Sequence, residues 1–292
     1  MSERSNSKIT VAVLISIAIG AGVAIAGSDG SQKIAGWPIF ALCGALAFAI
    51  NWLVYVPSAF AQTEKFYDLT GGLTYLTVTA VACLSVQELD QRAFIVAGMV
   101  VVWAGRLASF LFLRISKDGK DGRFDDIKTR PWRFFMTWTL QGLWVLLTAA
   151  CALAIITSEA RVPMDVLGWI GAAIWLIGFL IEAIADRQKS AFKSDPDNSG
   201  KFITTGLWSW SRHPNYFGEI VLWIGVAIMA LPVLQGWQWV TLISPVFVTF
   251  LLTKVSGIPM LEARAEERWG DDPDFRRYTD NTSVLIPLPP KG

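Results

Sequence analysis

The sequence predicts an all-α integral membrane protein, a multi-span helical bundle of eight spans, or seven if the weakest is discounted. Three observations predict it. Of 292 residues, 53% are hydrophobic and only 17% are charged, with 14 tryptophans; soluble domains carry charge on about a quarter of their residues. Apolar runs long enough to cross a hydrocarbon core of about 30 Å recur at 9–27, 36–60, 70–87, 93–114, 134–157, 164–185, 216–234 and 237–256. Lysine and arginine gather in alternate connections, which is the pattern that sets membrane orientation.

The first run, Ile9 to Gly27, follows Arg4 and Lys8. It is long for the apolar region of a signal peptide, and no small-x-small cleavage site closes it, so it reads as a retained span. The third run is short and rich in threonine; discounting it gives the count of seven. The connection after the fourth run carries Lys117, Lys120, Arg123, Lys128, Arg130 and Arg133, with Arg114 at its edge. Between Lys117 and Asp126 these cations alternate with acids and glycines, which predicts an ordered polar loop with turns at Gly119 and Gly122. The connection after the sixth run carries Arg187, Lys189, Lys193, Lys201 and Arg212. Connections one, three, five and seven carry at most one cation each. With both termini cytoplasmic, both basic connections fall inside. The connection after the second run, with only Lys65, does not decide. No repeat or soluble linker interrupts the chain, so it reads as one transmembrane domain, 1–292, with N-terminal spans at 1–60 and a core at 61–292.

A net charge of +1 gives no global attraction to nucleic acid. Cys43, Cys83 and Cys151 lie inside apolar runs at no metal-binding spacing, as packing residues. With a single histidine and no Cys/His cluster, no zinc site is expected.

Polar groups inside or beside spans carry the chemistry, because unsatisfied polar groups in hydrocarbon cost several kcal/mol. The densest set is Arg212, His213, Asn215, Tyr216 and Glu219, at the mouth of the seventh run. A charged cofactor at the cytoplasmic face would satisfy it; for His213 the alternative is a structural imidazole capping the span. Trp208 and Trp210 stand just before and are candidates for ligand contact. Glu182 and Asp186 share one helical face, and Lys189 and Lys193 continue the stripe. That face suits a ligand bearing hydroxyls and phosphates, or it is a solvated helix end with internal ion pairs. Arg106 lies mid-span, about 12 Å from Arg114 at about 1.5 Å per residue. It faces the bundle interior, either in an ion pair or against a ligand. Asp68, in the run Glu64-Lys-Phe-Tyr-Asp68, lies about two turns before Tyr75 on nearly the same face. A carboxylate beside a phenol can hold it as a hydrogen-bond donor to a carbonyl oxygen; the alternative is a helix cap with interfacial aromatics.

The run Arg212-His-Pro-Asn-Tyr-Phe-Gly-Glu219 resembles the C-terminal signature of the steroid 5-alpha-reductase superfamily, in its bacterial branch of unknown function. Sterol C14-reductases show a similar Arg-His-Pro-Asn-Tyr-x-Gly-acid run, and isoprenylcysteine and phospholipid methyltransferases a shorter form. The resemblance extends over roughly 60–290, through Glu64–Asp68, the basic loop, the sixth span, and a tail from Glu262 to Arg268 followed by Tyr278 and Pro287. It implies a helical membrane fold enclosing NADPH, with a lipid-accessible pocket for a flat apolar substrate. It implies that Asn215, Glu219 and Asp186 contact the cofactor, with Lys193 and Lys201 at positions that are arginine in the mammalian steroid enzymes. Those enzymes bind the substrate carbonyl with a glutamate–tyrosine pair, which falls here on Asp68 and Trp103. An indole cannot act as the phenol does, so Tyr67 or Tyr75 is expected to take over as the donor. Glu64 and Trp103 join Arg106 as expected substrate contacts.

The expected chemistry is NADPH-dependent reduction of the carbon–carbon double bond of a 3-oxo-4-ene steroid or similar enone, at a bacterial inner membrane with the cofactor on the cytoplasmic side. Arg212 is the expected phosphate ligand, since no G-x-G-x-x-G follows a strand and a Rossmann site is excluded. The expected partners are an apolar steroid-like substrate and membrane lipid, with no obligate protein partner. The alternative is an S-adenosylmethionine-dependent methyltransferase acting on a lipid or prenyl-cysteine-like substrate. A transporter ranks lower, because the spans lack the Pro/Gly-interrupted pair of a midplane site.

Overall fold

A computed structural model describes residues 3–118 and 124–290. The turns expected at Gly119 and Gly122 lie outside the described residues. The protein is an all-α integral membrane protein. Its chain divides into two compact units, Met1–Leu167 with Ala230–Ser244, and Gly168–Met229 with Pro245–Gly292.

The first unit contains α1 (Glu3–Gly27), α2 (Ile39–Phe60), α3 (Tyr67–Ser85), α4 (Gln91–Asp118) and α5 (Pro131–Thr157). The other four helices all pack on α5. Its sequence explains this. From Leu143 to Thr157 it is apolar on every side and rich in alanine, so it suits the inside of a bundle. Of its apolar stretch 89% is buried, against 28% for α1 and 33% for α2. Those outer helices leave Leu14, Ile25, Leu53 and Phe60 exposed, as a lipid-facing surface requires. The segment Ala230–Ser244 closes on α5 as well: the Cys151 thiol donates to the Thr241 carbonyl at 3.0 Å, and the Ser244 hydroxyl to the Thr148 carbonyl at 2.5 Å.

Local signals set several boundaries. The second helix begins at Ile39 rather than at residue 36, because a two-residue hairpin, β1 (Lys33–Ile34) and β2 (Trp37–Pro38), precedes it. Its turn places Ala35 and Gly36 at φ 50° and 84°. The third helix starts at Tyr67, so Tyr67 and Asp68 stand in its first turn. Arg92, at the start of α4, is fully buried, donating to the carbonyls of Val162 and Pro163 and pairing with Asp165 at 2.8 Å.

The second unit contains α6 (Val166–Ser194), α7 (Pro214–Ala230), most of α8 (Ile243–Phe250), α9 (Ile258–Trp269) and α10 (Pro273–Asn281). Helices α6 and α7 meet backbone to backbone. A Cβ at Gly171 would stand 2.5 Å from the Gly225 carbonyl, and one at Gly218 would stand 2.6 Å from the Glu182 nitrogen. Gly178 and Gly225 face the partner helix in the same way, and glycine at a seven-residue interval on each helix is what permits the approach. The seventh helix stops at Ala230, earlier than the apolar run, because Pro232 follows.

Among the described residues, six helical stretches are long and apolar enough to cross a membrane: Asn6–Gly27, Ile39–Phe60, Gln91–Phe110, Pro131–Thr157, Val166–Ser194 and Gly236–Trp269. The helix Pro214–Ala230 is apolar but shorter, and α3 is the threonine-rich segment flagged by its sequence. The last apolar run is not one regular helix. It opens as a tight 3-10 turn over Gly236–Leu242, continues as α8, and widens into a π turn over Leu251–Val255, where the Ser256 amide bonds to the Leu251 carbonyl at 3.0 Å.

Candidate functional site

In the second unit the glycine contacts decide which polar groups meet. Gly218 lies against the backbone of Glu182. That register brings Asp186, one turn further along α6, to Asn215 near the start of α7, whose side-chain amide donates to the Asp186 carboxylate at 3.2 Å. Glu182 and Asp186 are both buried, and Glu219, on the Asn215 face of α7, is half-buried.

The chain enters α7 through a fixed turn. The Ser211 hydroxyl donates to the Leu285 carbonyl at 2.8 Å and accepts from the His213 amide at 3.1 Å. The Arg212 amide donates to the Ser283 carbonyl at 2.8 Å, and the Leu288 amide to the Trp210 carbonyl at 3.0 Å. The stretch after α10 therefore runs beside the motif and holds its backbone. Pro214 supplies the first helical residue, where a missing N–H costs nothing. His213 is buried and stacks on Tyr216, with centroids 5.7 Å apart and planes 8° apart. One carboxylate clasps the two residues before α7: Glu262 on α9 holds Arg212 Nη1 at 2.8 Å and His213 Nε2 at 2.7 Å.

Behind the motif, Trp208 is buried with Ala185 and Ile203, and its indole N–H donates to the Ala185 carbonyl at 3.0 Å. It is a packing residue rather than a ligand platform, while Trp210 is exposed. Lys189 lies over the Trp208 ring at 4.4 Å. The Tyr278 phenol donates to the Trp208 carbonyl at 2.7 Å, and burial pushes its pKa above the usual phenol value. Lys193 and Lys201 are exposed, and neither forms a salt bridge among the described residues.

This donor and acceptor set fits a phosphorylated nucleotide. Arg212 Nε and His213 Nδ1 are buried and have no hydrogen-bond partner among the described residues. Polar atoms in that condition are ones a ligand can satisfy. The carboxylates of Asp186 and Glu219 can accept from ribose hydroxyls, and the cations at Arg212, Lys193 and Lys201 can neutralise phosphate.

In the first unit the expected residues lie along α3 and its neighbours. Glu64 is buried just before α3 and accepts from Lys128 at 2.8 Å; that hydrogen bond raises the Lys128 pKa. The Tyr67 phenol donates to the Thr137 carbonyl at 3.1 Å, and its ring packs on Phe124 and Trp138. Asp68 follows it, half-buried. Tyr75, buried two turns later, meets Trp103 of α4 edge-on at 5.0 Å. Arg106 stands half-buried three residues beyond Trp103.

Sequence reasoning did not single out Glu262 or Gln141. Gln141, on α5, donates to the Tyr67 carbonyl at 3.0 Å and touches Gly71. Glu262 sits in a solvated-looking run of acids and bases, and only the fold pairs it with His213, 49 positions away.

Comparisons with known proteins follow the same lines. Over 118 residues the chain is 33% identical to 3-oxo-5-alpha-steroid 4-dehydrogenase 1 of Bos taurus, covering 40% of each protein. It is 29% identical over 96 residues to the Delta(14)-sterol reductase of Arabidopsis thaliana, covering 30% of this chain and 23% of that one. It is 33% identical over 66 residues to the probable O-methyltransferase ustE of Ustilaginoidea virens, covering 23% of each. The matched part thus spans two fifths or less of these relatives. No solved structure matches the chain. Residues 54–282 match the family described as a protein of unknown function, DUF1295, and the chain belongs to that family, which is steroid 5-alpha-reductase-like and related to the sterol reductases.

Proposed function

We propose that the protein is a membrane oxidoreductase of the steroid and sterol type, which uses NADPH to saturate the carbon–carbon double bond of a conjugated enone such as a 3-oxo-4-ene steroid. The observation that carries this is the cross-linked set Asp186–Asn215 and Arg212–His213–Glu262 at one end of α6 and α7. It offers carboxylates for hydroxyls and buried donors for phosphate in a chain whose relatives include steroid and sterol reductases.

NADPH, when bound, supplies the hydride that reduces the β-carbon. The residues of this chain do the rest. Arg212, with Lys193 and Lys201, holds phosphate; Asp186, Asn215, Tyr216 and Glu219 hold and orient the nucleoside parts; His213 adds a ring nitrogen to the same set. As hydride arrives, negative charge grows on the substrate carbonyl oxygen as an enolate, a hydrogen-bond donor there lowers the barrier, and a proton then added at the α-carbon completes the saturated ketone. Tyr75 is the donor in this reading, with Asp68 on the same helix to hold its orientation. The phenol proton of Tyr67 is engaged by Thr137. Tyr75 instead stands against Trp103, at the position where the resemblance expects a phenol. Glu64, Trp103 and Arg106 are the substrate contacts in this reading. The spans exclude water and admit an apolar substrate from lipid, with the cofactor set on the cytoplasmic side of a bacterial inner membrane.

The test is NADPH consumption by pure protein in detergent against a panel of enones, with product analysis. A saturated ketone is the expected product, and Asn215→Ala with Glu219→Ala is expected to abolish it. Retention of activity in that double variant would remove these residues from the site.

A second reading is a methyltransferase that takes S-adenosylmethionine, favoured by the 33% identity to the probable O-methyltransferase over 66 residues. It predicts tight binding of the methyl donor and none of NADPH, the reverse of the first reading.

A further inference from the structure

We infer that Glu262 is a positioning residue that fixes the tautomer of His213 and so turns its Nδ1 into an acceptor for a hydroxyl of the bound nucleotide. The ligand part of this inference rests on the reductase reading; the tautomer part does not.

An ionised carboxylate only accepts hydrogen bonds. Glu262 Oε1 lies 2.7 Å from His213 Nε2, so Nε2 carries the proton. The other carboxylate oxygen is held by Arg212 at 2.8 Å, which stops the group from turning away. The ring cannot turn freely either. It is stacked on Tyr216, its backbone amide is bonded to Ser211, and its side chain is 5% exposed. A neutral imidazole has one N–H. With that proton on Nε2, Nδ1 presents a bare lone pair.

That lone pair is buried and has no partner among the described residues. The same is true of Arg212 Nε, an obligatory donor on the preceding residue. An unsatisfied acceptor and an unsatisfied donor on adjacent residues match a ligand that offers a hydroxyl close to an anionic oxygen. A phosphorylated ribose has that chemistry. Glu262 would act through His213 and Arg212, touching no ligand atom itself.

Because the chain has one histidine, its imidazole can be read without assignment. The experiment is a long-range proton–nitrogen correlation spectrum of the full chain, labelled at histidine nitrogen, in detergent near pH 7.5. The expected spectrum has a protonated Nε2 and an unprotonated Nδ1. An Nδ1–H tautomer or an imidazolium would overturn the inference. Saturation with NADP+, its binding followed independently by calorimetry, is expected to move Nδ1 toward the hydrogen-bonded acceptor range. Binding without that movement overturns the ligand contact. No binding at all overturns the ligand contact together with the reductase reading, while the first spectrum still decides the tautomer. Glu262→Gln, whose amide can either accept from or donate to Nε2, is expected to let an Nδ1–H population appear and to weaken NADP+ binding about tenfold. An unchanged spectrum and affinity in that variant would assign Glu262 no positioning role. Should the variant fail to fold, the wild-type spectra alone carry the decision.

Discussion

In the second unit Asn215 bonds to Asp186, and Arg212 and His213 bond to Glu262, side chain to side chain, whereas in the first unit Tyr67 and Gln141 bond to helix backbone. The charged set stands on α6, on the turn into α7 with its first residues, and on α9, and α6 and α7 are pressed together at glycines. Of the neutral pair, Tyr67 stands against the aromatic wall of Phe124, Phe134 and Trp138. The difference matches what each would handle. A phosphorylated ligand would need polar and charged groups fixed in position before it arrives. An apolar ketone needs one donor in a dry, rigid wall, and backbone anchoring provides rigidity without adding charge to the membrane interior.

Seven substitutions test that contrast. The largest effect is expected for Tyr75→Phe, which should lower kcat for enone reduction by about 10²–10³ without loss of fold. Tyr67→Phe, whose proton goes to Thr137, should cost less than about tenfold by the same steady-state assay. A greater loss in Tyr67→Phe would exchange the two roles.

Gly218→Ala should destabilise the protein by about 1–3 kcal/mol, because its Cβ would stand 2.6 Å from the Glu182 nitrogen. Gly98→Ala in α4, whose Cβ meets nothing within 4 Å, should be neutral or slightly stabilising. Thermal unfolding in detergent compares them, and equal shifts would mean that the close helix contact is not a constraint.

Asn215→Ala removes a hydrogen bond to a buried carboxylate and should weaken NADPH binding about tenfold. Calorimetry measures this, and an unaltered dissociation constant would detach the Asp186 pair from the cofactor. The smallest effects belong to Lys193→Ala and Lys201→Ala. Both side chains are exposed, so each should cost at most about 1 kcal/mol of binding, diminishing as salt is added.

The helical membrane fold was legible because hydropathy reports burial in lipid directly: every expected apolar run contains helix, and among the described residues six stretches, against the eight or seven expected, are long and apolar enough to cross a membrane. Asp186, Arg212, His213 and Asn215 were legible because one stretch carries most of them and a helical interval aligns the rest. Other features depend on partners far along the chain. Glu262 reads as one acid among several until α9 brings it to His213. The engagement of the Tyr67 phenol requires the register of α3 on α5, which no local pattern encodes. The π turn at Leu251–Val255 leaves hydropathy unchanged, since it alters bonding and not composition.

One feature of the first unit bears on how the protein is made. Its axis, α5, leaves the ribosome after α1, α2, α3 and α4, and its last piece, Ala230–Ser244, follows the whole of Gly168–Met229. The earlier helices therefore enter the bilayer before their common support exists. Synthesis stalled short of residue 230 leaves Thr148 and Cys151 without Ser244 and Thr241. During that interval the nascent bundle should be most open to membrane quality-control proteases.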